Sequence, residues 1–293
     1  MSLNENALNG VAAVILVAVL ANGCADRTGS QLRPQDRLSG RPEEATGTYD
    51  KAQIVNAKSG TKTFAVPYMV TPDGYAIIQG DMIIGTRAQL QSTVEARGLF
   101  LLEPALWPRG VVKYKISNSL PNQNRVLNAL AHWEQKTAIR FSPARSSDRD
   151  YVMFKRSPDS NSCSANVGYH TGVTPVELGD ACAYGNVVHE IGHVLGVGHE
   201  HMRSDQRRYI TRHMENAKPH TEHNFEPMPL KYADIGNYCY GSIMHYPKTA
   251  HSKNNKPTIV PTDRNARIGQ RDGLAACDIS LIRTMYRSEF AKR

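Results

Sequence analysis

Three histidines in the segment 189–200 have a spacing that suits a metal ion. His189 and His193 are four residues apart, so on a helix both imidazoles project from the same face. Gly196 permits a sharp turn that ends this helix and brings His199 round as a third ligand. Three neutral imidazoles leave one tetrahedral position of Zn²⁺ open, which is typical of a catalytic zinc site and not of a structural one.

Glu190 follows the first of these histidines directly and supplies a carboxylate next to the predicted metal. Such a carboxylate can take a proton from an attacking water molecule, so the pattern predicts hydrolysis with one zinc ion. Each histidine alone would be interpreted as a surface or core residue, and only the five fixed positions together favour the metal site. His201 and His245 lie outside this spacing and are predicted not to bind the metal.

The elements that must position these residues begin with a strand. Alternation predicts a strand over Val111–Ile116, and apolar residues on one helical face predict a helix over 122–137. A last helix is predicted to begin at Asp278, a good N-cap residue. Before this domain, shorter strands are predicted over 63–70, 75–78 and 82–84, while 25–60 has the composition of a linker.

Composition sets the class of protein. The chain has 293 residues, of which 40% are hydrophobic and 21% charged, as expected of a globular protein. Residues 1–103 carry 9 basic and 10 acidic side chains, whereas residues 104–293 carry 26 basic and 17 acidic ones. The basic excess forms no run of like charges with interleaved aromatics, so no nucleic-acid partner is expected.

The amino-terminal residues resemble an export signal. The apolar run 11–21 is too short to span a bilayer and is followed by small residues, so residues 1–24 are predicted to be a signal peptide. Cys24 ends a loose lipobox and would be the only membrane anchor, the alternative being a plain cleaved leader. The protein is therefore expected to be secreted or held at the cell envelope. Delivery into another cell by a non-Sec system is the alternative.

Beyond the zinc motif, Glu200 and the segment Ser242–Tyr246 complete a pattern that resembles the astacin family of zinc metalloendopeptidases, within the metzincins. The chain looks like a secreted, bacterial-type member with a pro-segment. The resemblance implies an α+β zincin fold, in which a mixed sheet and an active-site helix follow a small pro-segment. It implies cleavage of protein or peptide substrates by zinc-activated water, with Glu190 as general base.

The resemblance also implies roles for individual residues. Met244 would form the floor beneath the metal, and Tyr246 would be an extra zinc ligand that stabilises the reacting carbonyl oxygen; a core methionine and a core tyrosine are the alternatives. One sheet edge would pair with the substrate backbone, and its residues are Cys163, Ser164, Ala165, Asn166 and Val167.

Four cysteines remain if Cys24 belongs to the leader, an even number that suits two disulfides in an oxidising compartment. The resemblance pairs Cys163 with Cys182. The family's long-range disulfide is absent, and Cys239 with Cys277 is proposed as its replacement. The alternative is that these last two are buried free thiols.

The segment before the protease resembles an inhibitory pro-segment. Ile78-Gln79-Gly80-Asp81 is similar to the family motif whose aspartate binds zinc in the zymogen, although the family has Phe at the first position. The alternative is an ordinary Gly-Asp turn. The resemblance implies an activating cut near Arg97 and a new amino terminus that meets Glu200. The predicted domains are 1–24, 25–97 and 98–293.

Two further hypotheses complete the interpretation. The segment Ser242–Tyr246 matches the Met-turn of the family. Lys248, His251 and Lys253 follow this Met-turn and would favour an acidic side chain after the scissile bond; solvated loop charges are the alternative. The function predicted is a zinc endopeptidase made as a zymogen. The alternative function is a non-catalytic zinc-binding recognition or adhesion module on the same fold.

Overall fold

The computed structural model describes residues 53–59, 62–95, 100–101, 104–228 and 231–293, all within one compact unit that runs from Arg33 to Arg293. The predictions made for the leader, for Cys24 and for the cut near Arg97 lie outside the described residues. Over the described part of the chain, no helix is both long enough and apolar enough to span a bilayer.

The first described region is a meander of strands followed by a helix: β1 (Gln53–Ser59), β2 (Lys62–Val70), β3 (Tyr75–Ile78), β4 (Met82–Thr86) and α1 (Arg87–Glu95). The prediction of a linker over 25–60 was wrong for β1. This strand pairs antiparallel with β2, and burial of Val55 and Ala57 on one face explains its stability despite weak apolar alternation in the sequence.

The second region contains the remaining elements. Its strands are β5 (Phe100–Leu101), β6 (Val111–Ile116), β7 (Arg140–Pro143), β8 (Tyr151–Arg156), β9 (Cys163–Asn166), β10 (Val173–Leu178), β11 (Ile210–Arg212) and β12 (Ile259–Pro261). Its helices are α2 (Asn124–Lys136), α3 (Tyr184–Val194), α4 (Ala276–Met285) and α5 (Arg287–Phe290). Strand β6 has the predicted bounds, and α2 is slightly shorter than predicted.

Within the described residues, ten strands form one mixed sheet in the order β5-β1-β2-β3-β4-β9-β10-β8-β6-β7. Strand β4 pairs parallel with β9, so the early strands extend the sheet of the later region. The sheet therefore joins the predicted pro-segment to the strand that was predicted to bind substrate.

Two buried tryptophans fix the position of α3. The Trp107 indole N–H donates to the Val194 carbonyl at 2.9 Å, and the Trp133 indole N–H donates to the Val188 carbonyl at 3.0 Å. Both rings are almost completely buried, which satisfies the requirement that a buried indole finds an acceptor. Helix α3 is therefore held by α2 and by the start of the second region.

The last long helix begins two residues earlier than predicted. Ala275 is its N-cap, and Asp278 lies in the first turn, where its Oδ2 accepts the Ala275 N–H at 2.8 Å. The carboxylate thus satisfies a free backbone donor from inside the helix. Residue 278 was predicted to be the cap itself, and this was wrong.

Two disulfides lie in the second region. Cys163 is bonded to Cys182, with Cα atoms 6.0 Å apart, and Cys239 to Cys277, with Cα atoms 6.5 Å apart. The second bond excludes the alternative of free thiols at these positions. It ties the loop before Met244 to the first turn of α4.

Candidate metal centre

Helix α3 and the turn after it bring three histidines together. His189 and His193 lie on one face of the helix, and Gly196, at φ 92°, reverses the chain so that His199 approaches the same point. The Nδ1 atoms of His189 and His193 donate to the Ile243 and Val197 carbonyls, each at 2.8 Å. These bonds leave the Nε2 lone pairs directed at one another, as in most histidine metal sites.

The distances between these nitrogens fit a metal ion. His189 Nε2 lies 3.1 Å from His193 Nε2 and 3.2 Å from His199 Nε2. Nitrogens bound tetrahedrally at about 2.0–2.1 Å from Zn²⁺ would be about 3.3 Å apart. All three rings are at most 1% exposed, so water cannot stabilise facing lone pairs, and a cation fits this position best.

Asp81 completes the cluster. Its Oδ1 and Oδ2 both lie 3.1 Å from His199 Nε2, and Oδ2 lies 3.4 Å from His189 Nε2. With His193, these residues form a group of ligand atoms within 4.8 Å of one another. The cluster therefore has four donors, three from one short segment and one from a residue more than a hundred positions earlier.

The protonation states of Asp81 and His199 also suit a metal ion. Burial would raise the pKa of Asp81, but His199 and His193 together with hydrogen bonds from the histidines hold it well below its usual value. Burial lowers the pKa of His199 to about 3, despite the opposing effect of Asp81. An ionised carboxylate and neutral imidazoles are the forms that bind metals.

The Met-turn supports two of the histidines through its backbone. The Ile243 carbonyl accepts from His189, and the Met244 carbonyl accepts the Glu200 N–H at 3.0 Å, next to His199. Asp278 holds this turn, because its carboxylate accepts from the Ser242 hydroxyl at 2.6 Å and from the Ile243 N–H at 3.0 Å. Met244 itself is buried.

Tyr246 contacts the predicted pro-segment in this structure. Its hydroxyl donates to the Gln79 carbonyl, and its ring stacks on His201 with centroids 3.9 Å apart. Gly80, at φ 85°, is required here, because a Cβ would lie 3.0 Å from both the Tyr246 Oη and the His251 Nε2. The tyrosine hydroxyl is therefore bound to a peptide carbonyl next to Asp81.

The predicted substrate-binding edge is covered. Met82 pairs with Ala165 and Ile83 with Asn166, and the Ala165 N–H donates to the Asp81 carbonyl at 3.0 Å. Cys163, Ser164 and Val167 complete the segment, of which only Val167 is partly exposed. Strand β4 of the predicted pro-segment thus pairs with the backbone of this strand.

The remaining predicted residues lie around the centre. Glu190 is fully buried on α3. Glu200 accepts the Cys239 N–H at 2.6 Å, and burial raises its pKa to about 7.

Lys248 is exposed, whereas His251, grouped with it from the sequence, is buried against Tyr246. His201 and His245 lie outside the four-residue cluster.

Three contributors to the centre were missed from the sequence. Asp278 was interpreted only as a helix cap, Gln79 only as part of a motif, and His251 only as a loop residue that would favour an acidic side chain in the substrate. The signal for Asp278 was its position next to Cys277, since a disulfide at that point brings α4 to the Met-turn. For the other two, the sequence holds no signal, because they meet Tyr246 through main-chain position and fold alone.

Comparisons with known proteins agree with this geometry. The family model described as Astacin (Peptidase family M12A) matches residues 102–287. Protein SpAN of Strongylocentrotus purpuratus is 36% identical over 231 residues, covering 71% of this chain and 37% of that protein. Zinc metalloproteinase nas-14 of Caenorhabditis elegans is 38% identical over 194 residues, covering 64% of this chain and 38% of that protein. The chain spans a little under two fifths of the length of these two relatives.

A solved structure is also similar. High choriolytic enzyme 1, a hatching enzyme zinc-protease from Oryzias latipes, is 28% identical, with a TM-score of 0.56 over 62% of this chain and 92% of that one. The α+β zincin fold and zinc as the cofactor are thereby confirmed, and the buried histidine cluster is the site that fits the ion. Because the family model matches more than half of the sequence, the chain belongs to the astacin family of zinc metallopeptidases, peptidase family M12A.

Proposed function

We propose that the chain is a zinc-dependent endopeptidase made as a zymogen, with protein or peptide substrates. The observation that carries this proposal is the buried cluster of His189, His193 and His199 beside Glu190, with Asp81 at the fourth corner. A closed structural site would not need a carboxylate from a separate segment, nor a buried glutamate next to a ligand. The proposed domains are a leader 1–24, a pro-segment 25–97 and a peptidase 98–293.

The chemistry divides between the metal and the protein. When bound, zinc supplies a Lewis acid and lowers the pKa of water toward about 7. Glu190 takes the proton from the attacking water and delivers it to the leaving amide nitrogen. The Tyr246 hydroxyl donates to the carbonyl oxygen as negative charge develops there. Its bond to the Gln79 carbonyl supports this role, since that acceptor is also a peptide oxygen.

Latency in this proposal has two components. The Asp81 carboxylate takes the coordination position that water needs, because it is the fourth donor of the cluster. Strand β4 takes the edge β9, which a substrate would otherwise extend as an added strand. Removing the pro-segment would therefore open the metal and the substrate-binding edge together.

Activation requires a cut between the two regions. Arg97 precedes the expected mature start and suits a trypsin-like protease. Glu200, which is partly buried, accepts the Cys239 N–H and lies 3.8 Å from the Arg203 Nε; it is proposed to receive the new amino terminus as a second positive partner. Sequencing the amino terminus of active protein checks the position of the cut.

Export by the leader, with or without lipid on Cys24, places the enzyme outside the cytoplasm or at the envelope. Mass analysis of the native protein reports leader removal and acylation together.

A preference for acidic residues after the scissile bond is proposed from the exposed Lys248, which faces solvent near the Met-turn. Cleavage profiling of a peptide library that found no enrichment of Asp or Glu there would remove this preference.

One variant tests the central proposal. Glu190→Ala in processed protein should retain one zinc ion per chain and lose casein cleavage by about 100-fold or more, since a general base contributes on that scale. Wild-type protein treated with a chelator is the matched control and should lose both zinc and activity. Zinc binding without cleavage by the wild type would favour the recognition or adhesion module instead.

A further inference from the structure

His251 lies beside Tyr246 and has a strained backbone conformation. It is 2% exposed and has φ 50°, in the left-handed region that residues other than glycine seldom occupy. Backbone strain of this kind persists where the surrounding structure enforces it, and it concentrates at functional sites. The backbone is held there by the Lys218 N–H, which donates to the His251 carbonyl at 2.7 Å.

The imidazole of His251 faces two polar groups. Its Nε2 lies 3.3 Å from the Tyr246 Oη and 3.4 Å from the side-chain amide of Asn224. Phe225 packs edge-on against the ring, with centroids 5.9 Å apart, and limits where the ring can move. The histidine nitrogen is therefore within reach of the tyrosine hydroxyl inside the buried part of the site.

Hydrogen counting assigns the donor in this pair. The tyrosine hydroxyl has one proton, and it is donated to the Gln79 carbonyl. The second contact at Oη must therefore be received from a proton on His251 Nε2. The Asn224 Oδ1 is buried without a partner, and rotating the amide by half a turn presents this oxygen to the same N–H. One hydrogen shared between two acceptors explains why both distances are long.

We propose that His251 is a positioning residue for Tyr246: its Nε2–H holds the tyrosine oxygen where a peptide carbonyl meets it, so that the phenolic proton stays directed at the substrate. This inference rests on the proposed function. In the zymogen, the Gln79 carbonyl is the acceptor; after processing, the reacting carbonyl oxygen takes its place. Neither the motif analysis nor the family resemblance assigns this role to residue 251.

Kinetics of processed protein supply the first test. His251→Phe keeps an aromatic ring against Phe225 and removes the donor, so kcat should fall by about 5- to 10-fold while KM changes less than twofold. His251→Gln retains an N–H donor and should recover most of the rate. In the Tyr246→Phe background, His251→Phe should have no further effect, because the hydroxyl that it positions is absent.

A purely structural role predicts a different result. If His251→Phe lowers kcat equally in the wild type and in the Tyr246→Phe background, or if it leaves kcat unchanged, the proposal is overturned. Zinc content is measured for every variant, so a loss of metal is separated from a loss of positioning. Absence of cleavage by zinc-loaded wild type contradicts the proposed function itself, and the second test then decides the role of residue 251.

The second test does not depend on activity. In full-length protein with ¹⁵N-labelled histidine, the His251 ring signal, assigned by its loss in His251→Phe, should show a proton on Nε2 and should shift in Tyr246→Phe. His132 is the internal control, because its Nε2 accepts the Leu274 N–H at 3.0 Å and so carries no proton. An unprotonated Nε2 at residue 251, or a signal unaffected by Tyr246→Phe, overturns the proposal.

Discussion

The region before residue 96 and the region after residue 104 share one sheet but are held in different ways. The later region contains both disulfides and two tryptophans that fix α3. The early region has no cysteine after Cys24 and is attached through non-covalent contacts, which include the strand pairs β1–β5 and β4–β9, Asp81 and Tyr75. The difference teaches that the three histidines of the metal centre come from the later region alone, whereas the early region contributes Asp81 and is joined to the later region without a disulfide.

The largest effect that tests this contrast is expected at Asp81. Asp81→Ala removes the fourth donor and a buried charge, so full-length protein should gain activity by on the order of 100-fold to 1000-fold without proteolysis. Casein cleavage is measured on chains shown to be intact by mass analysis, with Arg97→Gln present to prevent processing. The Asp81→Ala/Glu190→Ala pair should remain silent; continued silence of Asp81→Ala alone would contradict the switch.

A smaller loss of latency is expected at Gly80. Gly80→Ala adds a methyl group 3.0 Å from the Tyr246 Oη and the His251 Nε2, so uncut protein should become about 10-fold more active as the pro-segment is displaced. Gly74→Ala is the matched control, because Gly74 has φ 89° but nothing within 4 Å of its added methyl. Equal effects of the two variants would attribute the result to backbone strain alone.

A pH effect is expected where the two regions meet at Glu177 on β10. Burial raises the pKa of Glu177 to about 7, and Asp73 of the pro-segment adds to this effect while Lys155 opposes it. Lys155 Nζ lies 2.7 Å from Glu177 Oε1 and 3.3 Å from the Tyr75 hydroxyl. Between about pH 4.5 and pH 7, contact with Asp73 therefore favours the protonated form of Glu177.

The direction of the pH effect follows from the protonated form of Glu177, which contact with Asp73 favours. Attachment of a nicked pro-segment should be strongest below about pH 4.5, weaken as the pH rises to about 7 and then become constant, with a total change of about tenfold or less. Gel filtration of nicked protein across this range measures retention. Glu177→Gln should flatten the profile between these limits, and an unchanged profile in that variant would exclude this group.

The smallest effect on latency is expected from the disulfide between Cys239 and Cys277. Replacing both by serine should lower the stability of the later region by about 2–4 kcal/mol, because a 38-residue separation is no longer closed. The melting temperature should fall by several degrees while latency stays intact, since the bond does not touch β4. Gain of activity in uncut protein would show that the two regions are more strongly coupled than the contacts indicate.

Much of the centre could be predicted from the sequence because its ligands on α3 are local. The spacing of His189 and His193 fixes both on one helical face whatever surrounds them. The Met-turn and the aspartate of the pro-segment were found through resemblance to a family. The strand β1 could not be predicted, since its stability comes from pairing with β2 and not from its own composition.

By itself, the sequence predicted the three histidines and the neighbouring Glu190 as site residues, and the family resemblance added the α+β class and the pair Cys163–Cys182. Only the tertiary structure decided that Asp278 holds the Met-turn, that β4 covers β9 and that His251 faces Tyr246. The physical reason is distance along the chain: helix spacing acts over a few residues, whereas these contacts join residues that only the closed sheet and packed helices bring together.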